Sequence, residues 1–368
     1  MRGQQWCDII YTMKQRLFIT GGSGYIGAML ADQLSKREDI EAIILIDKEP
    51  ETDLTKNTEH KDKILFIQDN LGNDDVESGW MKRVREFAPT VIIHTAWQIR
   101  DIYGNLPLQR KWNIDGSDHV FDLTFTIPSV HRMVYFSTVA SYGAFPDNTL
   151  EYRYKETDPF RVTDYNYAEE KRMVEEHLEK RYEKAQQDGW HGQVYIVRPA
   201  AITGPRGRID RVRFGLQSAL SGTLKGKSFV YNIVSALVSW VPVTPKWLRQ
   251  YIHEDDVNDI VELLALQHEV RDQYETFNIC PPGDVVLGKD MARAVGKRTL
   301  PIYPWMARIA FWFFWHATRG RIPTSRGSWK GYSYPIAVDG SKLSDMYGYH
   351  YKYPSTKAFV ERVGRYAK

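Results

Sequence analysis

The chain has 368 residues, of which 43% are hydrophobic and 26% charged, values ordinary for a globular protein with a sizeable core. Its formal net charge of +3 is too small for this length to indicate binding to nucleic acid or an anionic membrane. Cys7 and Cys280 are far apart, which predicts neither a disulfide framework nor a metal site. No apolar run reaches the ~20 residues of a membrane span, and the N-terminus lacks the apolar core of a secretory signal. The sequence therefore predicts a cytoplasmic protein.

Short apolar runs alternate with amphipathic stretches over the N-terminal half, and the runs predict β-strands. Because each run is continuously apolar, it indicates a strand buried on both faces of a parallel sheet. The amphipathic stretches at 29–38 and 81–88 predict helices that cover this sheet. The pattern predicts an α/β fold with a doubly wound parallel sheet. Its predicted strands are residues 16–20, 42–47, 64–68, 91–94, 133–137 and 194–198.

A glycine-rich turn, FITGGSGYIG at 18–27, connects the first strand to the first helix. Gly21 permits a tight turn, Gly24 lets the backbone approach a pyrophosphate, and Gly27 lets the helix pack closely on the strand. Free N–H groups at the start of that helix suit an anion. The spacing predicts a dinucleotide-binding turn.

An acidic residue follows this turn at the end of the second predicted strand. This residue, Asp47, stands about 20 residues after the turn, where a carboxylate can accept hydrogen bonds from both ribose hydroxyls. A 2′-phosphate would be repelled there, so the sequence favours NAD over NADP. The adjacent Lys48 is a cation that would instead favour the 2′-phosphate of NADP.

The ordered set of motifs resembles the extended short-chain dehydrogenase/reductases, the NAD-dependent epimerase/dehydratase group that includes UDP-glucose 4-epimerase. The resemblance covers residues 14–365 and implies a Rossmann domain with a smaller, mostly C-terminal α+β substrate domain. Its motifs are TGGSGYIG (20–27), QDN (68–70), HTAW (94–97), NIDGS (113–117), FSTVASYG (136–143), YAEEK (167–171), RPAAITGP (198–205) and RQYIHEDD (249–256).

The resemblance also implies a division of the chain and a set of cofactor contacts. Residues 1–13 would be an N-terminal extension, 14–198 with 249–280 the NAD-binding Rossmann domain, and 199–248 with 281–368 the substrate-binding domain. Asp69 would contact the adenine, and Thr95 and Ala96 would line the cofactor. The further implied cofactor contacts are Tyr25, Ile26, Asn70, Pro199, Tyr167 and Lys171.

Tyr167 and Lys171 match the Tyr-x-x-x-Lys pair of this family, whereas Tyr165 falls outside the pattern and is expected beside the cofactor or in a structural role. Four residues of helix place both side chains on one face. A free phenol has a pKa of ~10, and a nearby ammonium together with the nicotinamide would lower it. The resemblance implies that Tyr167 exchanges a proton with a substrate hydroxyl and that Lys171 holds the nicotinamide ribose.

Two further residues complete the implied catalytic set. Thr138 occupies the position of the serine or threonine that hydrogen-bonds the reacting oxygen, so it would contact substrate as Tyr167 does. Asn113 matches the family asparagine on the fourth helix, where it either takes part in catalysis or braces the helix.

The two residues after Thr138 indicate which reaction types this chain can catalyse. Related 4,6-dehydratases carry Asp-Glu at these two positions, and related decarboxylases keep the Glu, whereas this chain has Val139 and Ala140. Neither side chain exchanges a proton, which disfavours dehydration and decarboxylation. Reversible oxidation of a secondary alcohol remains, either as epimerisation through a keto intermediate or as net dehydrogenation.

The substrate class stays open between a nucleotide-sugar and a lipophilic alcohol. Arg249 matches an arginine that binds the pyrophosphate of a sugar nucleotide, and Arg326 is available as a second. Alternatively, Arg249 pairs with Asp255 or Asp256. Ala201 replaces the asparagine that is usual in sugar-nucleotide epimerases, which favours a lipophilic alcohol, as in the related 3β-hydroxysteroid dehydrogenases. A non-catalytic NAD-binding protein is the third alternative.

Two expectations concern surfaces. The aromatic segment 305–316, WMARIAFWFFWH, is expected to be a buried helix, with a lipophilic pocket or peripheral membrane contact as alternatives. The family resemblance implies a homodimer formed by two long helices that begin near Asn105 and near Tyr167. Met173, Val174 and Leu178 give the second helix an apolar spacing.

Overall fold

The computed structural model describes residues 14–74, 79–206, 240–267, 273–294 and 296–367. The predicted N-terminal extension, residues 1–13, lies outside the described residues. Much of the predicted 199–248 part of the substrate-binding domain also lies outside them, since residues 207–239 are not described. The predicted domain limits stay predictions.

A parallel sheet of seven strands forms the centre of the described structure. The strands are β1 (Gln15–Thr20), β2 (Ile40–Asp47), β3 (Ile64–Gln68), β4 (Val91–His94), β5 (Arg132–Phe136), β6 (Gln193–Pro199) and β11 (Tyr274–Ile279). Their order across the sheet is β3-β2-β1-β4-β5-β6-β11, and it reverses beside β1, the switch point where α/β sheets of this kind bind ligands. The six predicted strands are confirmed to within two residues at each end. The seventh strand, β11, was not predicted. Its first half is polar and half-buried, so the sequence has no apolar run there.

Helices cover both faces of the sheet and connect its strands. They are α1 (Tyr25–Ser35), α2 (Asp53–Lys56), α3 (Trp80–Phe87), α4 (Leu106–Arg110), α5 (Gly116–Thr126), α6 (Asn166–Gln187), α7 (Glu254–Leu266), α8 (Gly288–Ala294), α9 (Pro304–Ala317), α10 (Ser328–Ser333), α11 (Ser341–Tyr347) and α12 (Ser355–Ala358). A π-helical turn, Lys111–Asp115, joins α4 to α5, and 3₁₀ turns lie at Lys61–Lys63 and Val139–Tyr142.

Neighbouring residues along each central strand enter different cores. In β1, Leu17 and Ile19 pack with α1 and α7, whereas Phe18 packs on the opposite face with α3, α5 and α6. All three side chains are fully buried. The predicted doubly wound α/β fold is therefore confirmed.

The α6 residues that suggested a dimer interface belong largely to the protomer. Val174 and Leu178 are fully buried beneath the sheet, and only Met173 remains partly accessible. On the outer side, His177 and Arg181 pair with Asp118 of α5 at 3.0 and 3.2 Å. The homodimer stays a prediction, and its interface would need residues other than this apolar pair.

Shorter strands form the rest of the described chain. They are β7 (Ala201–Thr203), β8 (Trp240–Val243), β9 (Leu248–Arg249), β10 (Tyr251–His253), β12 (Val286–Leu287) and β13 (Arg298–Pro301). They pair as β7 with β10, β9 with β12, and β8 with β13. A separate small core, which includes Val241, Trp247, Met291 and Phe359, packs between them and the neighbouring helices.

The expectation of a buried aromatic helix is wrong. We call α9, Pro304–Ala317, the aromatic helix, and of its fourteen described residues only Ala307 is fully buried. Trp305, Ile309 and Trp312 are each more than half exposed. The segment is apolar nearly all round, so its composition could not distinguish the face that packs from the face that is exposed. Within the described part of the chain, no helix has the length and apolar character needed to cross a bilayer.

Candidate active site

The glycine turn between β1 and α1 forms the floor of a cleft. Gly21 adopts φ +76° and donates its N–H to the carbonyl of Ile46 at 2.8 Å. A Cβ atom added to Gly27 would lie 2.1 Å from the carbonyl oxygen of Gly21. That distance is far below van der Waals contact, so a side chain at Gly27 would push the helix off the turn.

Helix α1 begins directly at this turn and lacks a side-chain cap. Gly24 is its N-cap residue and carries no side chain that could accept a hydrogen bond. The first N–H groups of a helix have no partner within the helix, and the helix dipole is positive there. The turn can therefore hold the pyrophosphate of a dinucleotide against α1.

Asp47 ends β2 beside the turn. Its carboxylate accepts the N–H of Ser23 at 3.0 Å and the N–H of Glu49 at 2.9 Å, which fixes its orientation at the cleft. Lys48 pairs with Glu49 at 2.6 Å and lies 5.0 Å from the centre of the Trp112 ring. The cation that could have attracted a 2′-phosphate is thus engaged by its own neighbour.

All thirteen residues predicted to contact the cofactor line this one cleft. They come from the carboxyl ends of β1, β2, β3, β4 and β6 and the residues that follow them, and from the N-terminal turns of α1 and α6. They are Gly21, Gly24, Tyr25, Ile26, Gly27, Asp47, Asp69, Asn70, Thr95, Ala96, Tyr167, Lys171 and Pro199.

Two cleft residues were missed by the sequence reasoning. The Ser137 hydroxyl is buried, and among the described residues it has no hydrogen-bond partner. Trp97 also lines the cleft, and its indole N–H is likewise unpartnered there. The motifs FSTVASYG and HTAW contain both residues, and only their side-chain placement distinguishes them. A buried polar atom without a partner at a cleft indicates a ligand contact, and the cleft fits a dinucleotide.

Tyr167 lies in the first turn of α6, opposite Thr138. The protein environment raises the pKa of the Tyr167 phenol above its usual value of 10 because the phenol is desolvated by burial. The nearby Thr138 hydroxyl opposes that rise. The two predicted catalytic hydroxyls are thus neighbours.

The Lys171 ammonium is buried beside the end of β5 and the Trp97 ring. Its ammonium donates to the carbonyl oxygen of Phe136 and lies 3.7 Å from the centre of the Trp97 ring. Burial holds the pKa of Lys171 well below its usual value, against the raising effect of Glu175 and Glu170. The lowering of the Tyr167 pKa by this ammonium together with the nicotinamide stays a prediction.

Asn113 lies in the π-helical turn, and both ends of its side-chain amide are hydrogen-bonded. Its Oδ1 accepts the N–H of Gln98 at 2.8 Å. Its Nδ2 donates to the Gln98 carbonyl at 3.1 Å and to the buried Glu170 carboxylate at 2.8 Å. These bonds tie the loop after β4 to α6, which favours the bracing role over direct catalysis.

Arg249 lies among aromatic side chains rather than beside a carboxylate. Within the described ranges it forms no ion pair. Asp255 instead contacts His253 and the backbone of Arg365, and Asp256 accepts from Tyr349 at 2.8 Å. The alternative pairing expected from the sequence is therefore not found.

The positive charge of Arg249 affects the pKa values of three buried tyrosines, one of which precedes the catalytic helix α6. It lowers the pKa of Tyr165, Tyr251 and Tyr332, although burial raises all three on balance. The Tyr165 ring lies 5.8 Å from that of Tyr167, centre to centre. Tyr165 is not among the residues that line the dinucleotide cleft, but it contacts the ring of Tyr167 and its pKa responds to the charge of Arg249.

Arg326 is exposed and stands near the same helix start. The next residue, Gly327, has φ +79°, and a Cβ there would lie 2.5 Å from the backbone nitrogen of Tyr165. Lys330 of the same segment pairs with Asp164 at 2.6 Å. The backbone around Arg326 therefore packs against the turn that leads into α6.

Several solved structures share this fold over nearly the whole chain. dTDP-glucose 4,6-dehydratase from Bacillus anthracis is 15% identical with a TM-score of 0.65, and 94% of each chain is covered. WbmH from Bordetella bronchiseptica, in complex with NAD⁺, is 16% identical with a TM-score of 0.65, covering 95% of this chain and 96% of that chain. UDP-glucose 4-epimerase from Thermus thermophilus, complexed with NAD, is 19% identical with a TM-score of 0.61, covering 94% and 96%.

The sequence comparisons identify the family. No curated protein sequence matches the chain. The profile of the NAD dependent epimerase/dehydratase family matches residues 17–280, which contain the glycine turn, Asp47, Thr138 and the Tyr167–Lys171 pair. The chain therefore belongs to the NAD-dependent epimerase/dehydratase family and is an NAD-dependent enzyme of the extended short-chain dehydrogenase/reductase type.

Proposed function

We propose that this enzyme epimerises a nucleotide-sugar by oxidising one secondary alcohol to a ketone and reducing it again. The observation that carries the proposal is Arg249, a half-buried cation with no carboxylate partner in the described chain, whose charge acts on Tyr165 at the start of the catalytic helix. An arginine fork without a protein partner suits a diphosphate, which it can bind through two parallel hydrogen bonds.

The reaction requires a proton to leave the substrate hydroxyl as its carbon is oxidised. NAD, when bound, supplies the acceptor and donor of hydride at that carbon. Tyr167 removes the hydroxyl proton, and Thr138, which lies near Tyr167, hydrogen-bonds the same oxygen and orients it. Inversion requires that hydride return to the opposite face of the ketone, and return of the proton from Tyr167 completes the reduction.

The turn after Thr138 supports a reaction without elimination. Val139 and Ala140 begin the 3₁₀ turn Val139–Tyr142, where the Thr138 hydroxyl accepts the Ala140 N–H at 3.2 Å. Loss of water from a keto-sugar needs a side chain that protonates the leaving hydroxyl and one that removes a proton from carbon. These two positions supply neither, which favours epimerisation over 4,6-dehydration.

A second candidate substrate is a lipophilic alcohol. Trp97, Ile99 and Trp112 line the cleft and provide apolar surface. Ala201, which stands where an asparagine is usual, offers no hydrogen bond from its side chain. The same Tyr167 and Thr138 would then perform a single oxidation or reduction.

The decisive experiment replaces Arg249 with alanine. Loss of a charge-assisted bidentate contact costs ~1.5–3 kcal/mol, so Arg249→Ala should raise the inhibition constant of UDP by about tenfold or more. NADH affinity should stay unchanged. Arg362→Ala, which removes an exposed arginine near the C-terminus, serves as the matched control and should behave as the wild type.

Thermal-shift titrations distinguish the two substrate classes, because a ligand stabilises the fold according to its occupancy. Nucleotide-sugars should raise the melting temperature of the wild type more than that of Arg249→Ala. If sterol-like alcohols stabilise the wild type and no nucleoside diphosphate does, the nucleotide-sugar proposal is wrong and the second candidate replaces it.

A further inference from the structure

The aromatic helix carries an exposed apolar face that the proposed reaction does not use. Trp305, Ile309, Trp312 and Phe313 are 62%, 58%, 64% and 55% exposed. Their spacing of four, three and one residues places them on one side of the helix. None of the residues of the aromatic helix lines the dinucleotide cleft.

The opposite side of this helix attaches it to the protein. Ala307 is 1% exposed, and the Phe311 ring contacts the Tyr332 ring at 5.5 Å. The Phe311 carbonyl accepts the Thr324 hydroxyl at 2.9 Å. The helix is therefore packed against the protein on one side, and its other side faces outward.

The sequence around this face is basic without interruption. Residues 291–338 contain eight Lys and Arg side chains and no Asp or Glu, although the whole chain has a net charge of only +3. The rest of the molecule is therefore net negative. The small overall charge argued against membrane binding, but the positive charge is concentrated in this one region.

Four arginines of this region lie within the aromatic helix or close to it in the sequence and have no carboxylate partner among the described residues. Arg298 precedes the helix, Arg308 lies within it, and Arg319 and Arg321 follow its last turn; all four are exposed. Cations at both ends of an exposed aromatic stripe suit a surface that is negative outside and apolar beneath.

We propose that the aromatic helix docks this enzyme on an anionic lipid surface. Fourteen residues span about 21 Å, too short to cross a bilayer, so the helix lies in the plane of the interface. Trp305 and Trp312 have the amphipathic rings that favour the headgroup region. The arginines bind the lipid phosphates.

A second copy of the chain is a poorer occupant of this face. A twofold contact places the same patch of both subunits together, so the arginines of one copy would face the equally basic patch of the other. Like charges at a closed interface repel, whereas anionic headgroups neutralise them. The charge distribution thus selects the lipid surface.

Vesicle flotation with the full chain tests the proposal. The wild type should float with vesicles of phosphatidylcholine mixed with phosphatidylglycerol, bind pure phosphatidylcholine far less, and lose binding as salt rises. Trp312→Ser with Phe313→Ser should weaken binding by ~tenfold or more, because the inserted apolar surface is removed. Arg319→Gln with Arg321→Gln should weaken it by about fivefold for each arginine.

Matched variants remove equivalent side chains elsewhere. Val360→Gln with Val363→Gln replaces two side chains that are 47% and 66% exposed near the C-terminus, and should float as the wild type does. Lys56→Gln with Lys82→Gln removes two exposed cations from the Rossmann helices and should also have no effect. Melting temperatures of all variants establish that each is folded.

Three results would overturn the proposal. The first is absence of the wild type from anionic vesicles at low salt, which is also expected if another part of the chain covers the helix. The second is equal flotation of the wild type and the Trp312/Phe313 variant. The third is a lipid-free wild-type dimer, by light scattering, that this variant converts to a monomer, since the face would then join two copies.

Discussion

At the scale of single residues, Tyr167 is set for proton transfer by its neighbours in the cleft. Burial raises the pKa of its phenol above 10, so the protein alone holds it protonated near neutral pH. The Thr138 hydroxyl is the described group that counteracts this rise. Lys171, although one helical turn away, directs its ammonium to the Phe136 carbonyl. Burial therefore dominates the basicity of Tyr167, and Thr138 moderates its effect.

Tyr167→Phe should lower kcat by ~10²–10⁴, because general acid–base catalysis usually contributes that much. NADH affinity should change little, since the ring is retained. Steady-state rates and fluorescence titration with NADH measure the two effects. Tyr182→Phe is the matched control, because Tyr182 is on the same helix with its hydroxyl bonded to Gln186, away from the cleft. A Tyr167→Phe enzyme with wild-type turnover would exclude this residue as the acid–base group.

Thr138→Val should move the pH dependence of the reaction. Removing the hydroxyl removes the hydrogen bond that lowers the pKa of Tyr167, so that pKa should rise further. Alcohol oxidation needs the phenolate, and the acid limb of log kcat/KM against pH should therefore shift to higher pH. Thr138→Ser keeps a hydroxyl and should keep the limb in place. An unshifted limb in Thr138→Val would show that this contact does not tune Tyr167.

At the scale of secondary-structure elements, the π-helical turn Lys111–Asp115 is tied to the sheet through His94. The ring of His94 bonds Thr20 Oγ at 2.7 Å and Ser117 Oγ at 2.9 Å, and Ser117 donates to the Asn113 carbonyl at 2.5 Å. Burial lowers the pKa of His94 to about 3, with Lys171 adding to the effect. The imidazole is thus neutral at physiological pH, and its hydrogen bonds fix the helical turn that contains Asn113 beside β4.

Elements buried on both faces were the most predictable part of this molecule. The strands around Leu17, Ile44 and Val134 lie between two helical layers, so continuous apolar character was sufficient to identify them. The π-helical turn could not be predicted, because the bond that fixes Asn113 within it joins residues 57 positions apart. The exposure of Trp312 was also hidden, since apolar composition does not reveal which face finds a partner.

The turn between β1 and α1 should tolerate no side chain at Gly27. Gly27→Ala places a Cβ 2.1 Å from the Gly21 carbonyl oxygen, and relief requires movement of backbone. Overpacking of this kind costs ~1–3 kcal/mol, so melting temperature and NADH affinity should both fall. Gly331→Ala is the control, because the nearest heavy atom to its Cβ is 4.0 Å away. Wild-type values for Gly27→Ala would mean that the turn yields without affecting the cofactor site.

At the scale of the whole molecule, the C-terminal segment returns to the Rossmann helices. Tyr366 donates to the Met29 carbonyl of α1 at 3.0 Å and to Asp32 at 2.9 Å. Lys352 and Arg365 both bind Asp259 of α7, at 2.6 and 2.8 Å. These partners are about 90 to over 330 residues apart in sequence, so no local pattern predicts them. The same reason explains why the effect of the Arg249 charge on Tyr165 emerged only in the structure.

Asp259 should stabilise the fold in a pH-dependent manner. Lys352 and Arg365 hold the pKa of this carboxyl below its ordinary value, despite burial, which raises it. A depressed folded-state pKa means that the stabilisation is complete above the unfolded value of ~3.9 and is lost as pH falls through the lower folded value. Asp259→Asn should therefore lower the melting temperature at neutral pH, by ~1–2 °C for about 1 kcal/mol, since both cations are partly exposed.

The deficit of Asp259→Asn should persist from pH 7 to about pH 4 and disappear below, where Asp259 of the wild type also becomes protonated and neutral. Differential scanning calorimetry across this range measures it. Asp345→Asn is the matched control, because Asp345 is exposed and has no partner within the described ranges. A deficit that stays constant down to pH 3 would show that the asparagine disturbs packing, and that the paired charge does not fasten the C-terminal segment to α7.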